Sequence, residues 1–108
     1  MLLIKIDTAG TRFRVAGTAR PKQVKGEQAR MRDGRMVWVV RLTAIEEGRN
    51  SAETIWVEVP GDEPVLTIDA QVHPVGLIYT PWVNRKGEIV RCFRADEITP
   101  AEPGRKAA

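Results

Sequence analysis

A chain of 108 residues that is 43% hydrophobic can bury one modest core and is too apolar for a disordered segment. No apolar run is long enough to span a bilayer, and the single cysteine, Cys92, leaves no partner for a disulfide or a cysteine zinc cluster within these residues. The formal charge is only +3, yet residues 1–41 hold ten cations and three acids, which puts +7 there and −4 in the remainder. Positive charge gathered at one end marks either a local polyanion site or a solvated basic segment.

The start, Met1 to Asp7, alternates Leu2, Ile4 and Ile6 with Leu3, Lys5 and Asp7, the period of a half-buried strand. It lacks the charged start and cleavage site of a signal peptide, so the expected location is cytoplasmic. Thr8 to Thr11 reads as a turn. Phe13 and Val15 then share one face of a second strand and Arg12 and Arg14 the other. Those two arginines either meet phosphates or lie on a solvated face. Gly17 to Gly26 is polar and basic, an exposed connection or the base of a hairpin.

The stretch from Asp33 to Leu42 stands out. Asp33-Gly34 suits a tight turn. Beyond it Met36, Trp38, Val40 and Leu42 point one way, and Arg35, Val37, Val39 and Arg41 the other. Residues 27–32 and 35–42 form either one hairpin tipped with arginines or one interrupted strand. The plain reading of the stretch is a core strand whose arginines sit in water.

Thr43 to Ser51 reads as a polar turn. Ile55, Val57 and Val59 share one face of the next strand, with Trp56 on the polar side beside Thr54 and Glu58. An indole there is covered by a loop or second subunit, or it meets a ligand. Pro60 to Pro64 is a turn. Val65 to Pro74 is less regular. Val75 to Thr80 is read as a strand, Pro81 to Gly87 as a loop holding Trp82, Arg85 and Lys86, and Glu88 to Ala95 as the last strand. Residues 100–108 are expected to be a frayed tail after a single domain over 1–99.

No stretch has a helical period, and turns recur about every ten residues, as in a small barrel or sandwich. The expectation is an all-β fold, a five- or six-stranded OB-like Greek-key barrel. His73, the one histidine, has no nucleophile or orienting acid at a telling spacing and is read as a turn residue. Asp96 and Glu97 point apart in a strand and are read as its end. There is no phosphate loop, dinucleotide pattern or metal-ligand cluster. No enzyme and no cofactor are expected.

What remains is cations interleaved with flat side chains. Cations bind phosphates largely through counterion release, and aromatic faces stack unpaired bases. Duplex recognition favours a helix in the major groove, which is not foreseen here. The candidate phosphate contacts are Arg30, Arg32, Arg35, Arg41, Arg85 and Lys86. The candidate stacking residues are Trp38, Trp56 and Trp82, Trp38 being the one best placed for the core.

The apolar start at Met1–Asp7, the basic hairpin before Gly34, the Glu-rich turn at Glu46–Arg49, the strand at Ile55–Val59 and the ending from Gly87 to Ile98-Thr99-Pro100 resemble the small single-stranded-DNA-binding proteins of filamentous phages, the gene V protein type. That resemblance implies a five-stranded barrel, a symmetric dimer and cooperative coating of single strands. It puts Arg30, Arg32, Arg35 and Met36 in the binding hairpin. The family has an aromatic where Met36 stands, and the Arg12–Gly26 segment is extra here. The chain also resembles small replication, integration and excision regulators of actinobacterial conjugative plasmids. Two functions are therefore expected in competition. One is a dimeric single-stranded DNA or RNA binder serving replication or transfer of a mobile element, with no membrane partner. The other is a protein-interaction module or regulator presenting Trp56 and Trp82.

Overall fold

The computed structural model describes residues 4–49 and 51–101. Among these residues there is no helix, and the strands in chain order are β1 (Ile4–Lys5), β2 (Thr11–Val15), β3 (Arg20–Pro21), β4 (Gln23–Val24), β5 (Glu27–Gln28), β6 (Val37–Glu46), β7 (Ser51–Pro60), β8 (Gln71–Val75), β9 (Ile78–Tyr79), β10 (Trp82–Val83), β11 (Ile89–Val90), β12 (Phe93–Arg94) and β13 (Glu97–Pro100). The all-β class is thus seen directly, without any helix long and apolar enough to cross a membrane among the described residues.

The long hairpin β6–β7 is the centre. Its antiparallel ladder runs unbroken from Val37↔Pro60 to Glu46↔Ser51. Side chains alternate between faces with a period of two. Val40 and Leu42 of β6 therefore meet Ile55, Val57 and Val59 of β7 on one side, all buried. β2 extends this face, laying Phe13 and Val15 opposite Ala44 and Leu42. Val72, Leu77 and Ala95 close the same core. Nine of the strands make one sheet along the path β1-β9-β12-β7-β6-β2-β8-β13, with β3 also paired to β6. Every ladder in it is antiparallel except β12 with β7, where Phe93 lies beside Val57 and Arg94 beside Glu58.

Several expected elements are cut differently. The sheet holds nine strands in place of five or six, and no ladder joins β1 to β13 among the described residues, so it does not close into a barrel. The expected strand Val75–Thr80 breaks at Gly76, whose φ of +65° turns the chain from β8 into β9. The expected strand Glu88–Ala95 splits because its halves pair elsewhere: Ile89–Val90 with β10, and Phe93–Arg94 with β7 and β9. Gly17–Gly26 is no plain connection. It holds β3 and the first arm of the β4–β5 hairpin, whose loop Lys25-Gly26 has φ of 53° and 83°, the two positive angles of a type I′ turn.

The turn after β6 is shorter than expected, because Thr43–Glu46 remain paired with both β2 and β7. His73 lies in β8, exposed and opposite Thr99, rather than in a turn. Glu97 begins β13 instead of ending the previous strand. Pro100 belongs to β13, and the Ala101 amide donates to Gln71 O at 2.9 Å. The remainder of the expected tail, 102–108, and residues 1–3 of the expected first strand lie outside the described residues.

Leu42 has no exposed surface, whereas Val65 is 97% exposed. Leu42→Ala is therefore expected to lower unfolding free energy by about 2–5 kcal/mol. Val65→Ala should change it by less than about 0.5 kcal/mol. Urea unfolding of the two variants checks the contrast.

Candidate nucleic-acid interface

The Asp33-Gly34 segment folds as a hairpin end. The Met31 amide donates to Arg35 O at 2.8 Å, the Val37 amide to Ala29 O at 2.9 Å, and Arg30 bridges Met36. Gly34 takes φ +92°. Beyond that bridge the first arm leaves β6, since Glu27–Gln28 pairs with β4. Arg30, Arg32 and Arg35 are exposed, and Met36 is partly buried. Arg35 is tied locally: its Nε donates to Asp33 Oδ2 at 2.8 Å and its amide to Asp33 Oδ1 at 3.1 Å. The backbone amide of Arg35, then its guanidinium, holds the Asp33 carboxyl below the ordinary carboxylate value.

Arg41 and Trp56 face each other across β6 and β7, on the side away from the core. The Arg41 Cζ lies 5.6 Å from the Trp56 ring centroid, a cation–π distance. Its Nη2 donates to Ala16 O at 2.9 Å. Gly17 passes beneath, and a Cβ there would lie 3.1 Å from the same Nη2. The guanidinium is thus fixed by backbone and indole together, while 49% of Trp56 stays exposed. The same side carries Arg14 opposite Thr43, Arg12 opposite Ile45 and Arg20 opposite Val39.

A charged cluster that the sequence reading did not single out completes this side. Glu58 is 9% exposed. It accepts Lys22 Nζ at 3.0 Å and the Cys92 thiol at 2.9 Å, and Arg94 Nη2 lies 3.6 Å away. Burial pushes its carboxyl upward, but the Cys92 and Lys22 hydrogen bonds and the Lys22 and Arg94 charges outweigh that and hold it below the ordinary value. Burial, followed by the Glu58 carboxylate, pushes the Cys92 thiol up, so it remains a donor. The only local hint was an acid on the Trp56 face of β7. Its partners come from residues 22, 92 and 94 through pairings distant in sequence.

Trp82, Arg85 and Lys86 belong to a separate two-stranded ribbon, β10–β11. Asn84 Oδ1 organises its tip, accepting the amides of Lys86 and Glu88 at 2.9 and 3.0 Å. The ribbon leaves Trp82 48%, Val83 64% and Ile89 71% exposed. Trp38 is partly buried, and its indole N–H donates to Gly61 O at 2.9 Å. Apart from Trp38, on the core side of β6, the candidates sit in three places: the Asp33-Gly34 end, the outer sheet side and the ribbon. Among the described residues, Arg41 with Trp56 is the one contact between a candidate cation and a candidate indole. Among the described residues, no group of three or more His, Cys, Asp or Glu is set to hold a metal ion. The chain matches no protein-family model, no curated protein and no solved structure.

The depressed carboxyl of Glu58 stabilises the folded state above the ordinary carboxylate value of 4.5, and that contribution is lost as pH falls through the lower folded-state value. Glu58→Gln should cost about 1–3 kcal/mol at neutral pH, since it leaves Lys22 and Arg94 without their counter-charge. It should also flatten the acid limb of stability against pH. Urea unfolding at neutral and acid pH reads both. An unchanged acid limb in Glu58→Gln would contradict the assignment.

Proposed function

We propose that this protein is a non-enzymatic single-stranded nucleic-acid-binding protein whose ligand is single-stranded DNA. The observation that carries the reading is the Arg41 guanidinium held over a half-exposed Trp56 on a strand face rich in arginine. A fixed cation supplies phosphate attraction, and an accessible indole supplies a base-stacking surface. Neither needs a particular sequence or a groove. In this reading the sheet is an open relative of an OB-like Greek-key barrel. The protein acts as a cytoplasmic homodimer in replication or transfer of a phage or plasmid element; that setting rests on the resemblance to the gene V protein type and to plasmid regulators.

A second reading, a protein-interaction module, is favoured by one feature: the β10–β11 ribbon exposes the cross-strand pair Val83 and Ile89 on one face and Trp82 on the other. Exposed apolar side chains clustered in this way mark partner contacts.

Titrating oligo-dT and duplex DNA at low and high salt separates the two. Binding to oligo-dT is expected to exceed duplex binding, with log K falling by about 0.7 per phosphate contact for each tenfold rise in salt. Trp56→Ala should weaken it by about 1–3 kcal/mol, the worth of one stacked base. Absence of tryptophan quenching or anisotropy change at low salt, with a partner protein co-purifying, favours the second reading.

A further inference from the structure

The cations expected to grip the ligand were those of the Asp33-Gly34 end together with Arg41, Arg85 and Lys86. Sheet register draws attention to Arg41 and its neighbours. On the outer side of β6, successive positions 41, 43 and 45 stand about 7 Å apart along the strand. Arg41 lies opposite Trp56, Thr43 lies between Arg14 and Thr54, and Ile45 lies opposite Arg12. Three guanidinium groups and one indole therefore share a patch three rungs long and three strands wide. Between them stand the short side chains of Thr43 and Thr54, and half of the indole residue stays exposed.

The charges on this patch are little offset. Arg14 has no carboxylate within 4.0 Å among the described residues, and Arg12 has only Glu47, at 3.8 Å. Of the acids on these strands, Glu58 shares this side, while Glu46 and Glu53 project to the opposite one, where they line a groove with Thr11, Ala44 and Ser51 and pair with Arg49 and Arg91. The outer side of this end of the β6–β7 hairpin thus displays the exposed cations Arg12 and Arg14, and a polyanion is attracted to them. At the Asp33-Gly34 end Asp33 holds Arg35, which leaves Arg30 and Arg32 as the exposed cations there. Nearer β3, Glu58 is already saturated by Lys22 and Arg94.

We infer that a single-stranded polynucleotide crosses the outer side of β2, β6 and β7, with phosphates on Arg12, Arg14 and Arg41 and one base on Trp56, rather than wrapping the Asp33-Gly34 end. This rests on the function proposed above; it keeps Arg41 and Trp56 and decides for phosphate contact at Arg12 and Arg14, which alternation alone left open. Arg12 and Arg14 meet the phosphates at the end of the β2 ladder. Arg41, anchored on Ala16 O, holds the backbone of the ligand beside the indole.

The test measures anisotropy of labelled oligo-dT with the full chain across a salt series, for wild type, Arg12→Glu/Arg14→Glu and Arg32→Glu/Arg35→Glu. Arg12→Gln/Arg14→Gln is added as a milder pair, and circular dichroism checks each fold. The Arg12/Arg14 pairs should weaken binding by about tenfold or more and lower the salt slope by about 1.4, two phosphate contacts' worth. Arg32→Glu/Arg35→Glu should weaken it by less than about threefold. If wild type binds but the Arg12/Arg14 variants keep its affinity and slope while the Arg32/Arg35 variant loses them, the path proposed here is wrong and the binding function stands. If wild type binds no oligo-dT at low salt, both fall.

Discussion

The register of β6 against β7 is the constraint on which the rest depends. Ten consecutive pairs fix which residues face inward. Because the side-chain period is two, a slip of β7 by one residue would carry Ile55, Val57 and Val59 into water and turn Trp56 toward the core, away from Arg41. Burial of the isoleucine and valines makes that slip costly. The apolar side thus places the polar side, and the pairing of Arg41 with Trp56 is a by-product of hydrophobic register. β2 adds its own alternation to the same ladder, so Phe13 and Val15 anchor the strand that displays Arg12 and Arg14.

What could be read from the sequence was what is local. The alternation of Ile55, Val57 and Val59, the Asp33-Gly34 turn, the two faces of Arg12–Val15 and the absence of helical period all survive in the folded chain. What escaped was long-range. A parallel pairing of Phe93–Arg94 with β7 leaves no mark on the period of either strand. The Lys25-Gly26 turn was hidden because a lysine at positive φ is unusual. Gly76 and the Arg91-Cys92 step interrupt stretches whose apolar pattern runs on unbroken, so pattern alone joined what the backbone separates. The Glu58 cluster draws on residues at 22, 92 and 94 and exists only after the sheet has formed.

Charge behaves likewise. The excess of cations in residues 1–41 is a statement about one dimension. Folding redistributes it: Lys22 is drawn to Glu58, Arg35 to Asp33 and Arg41 to Ala16 O and the Trp56 ring. Two similar arginines in one segment thus reach different states, Arg35 paired with its own turn and Arg14 standing opposite a threonine. A carboxylate two residues away engages a cation whatever the fold does. A ladder partner is decided by topology.

The end of the sheet at β13 has a further consequence. That strand is four residues long and finishes on Pro100, and its neighbour β8 contains the buried Pro74. Proline brings no amide hydrogen to a ladder, and short proline-bearing margins are poor templates for an incoming strand. Sheet growth by main-chain addition is therefore discouraged on this flank, and other molecules meet it through side chains.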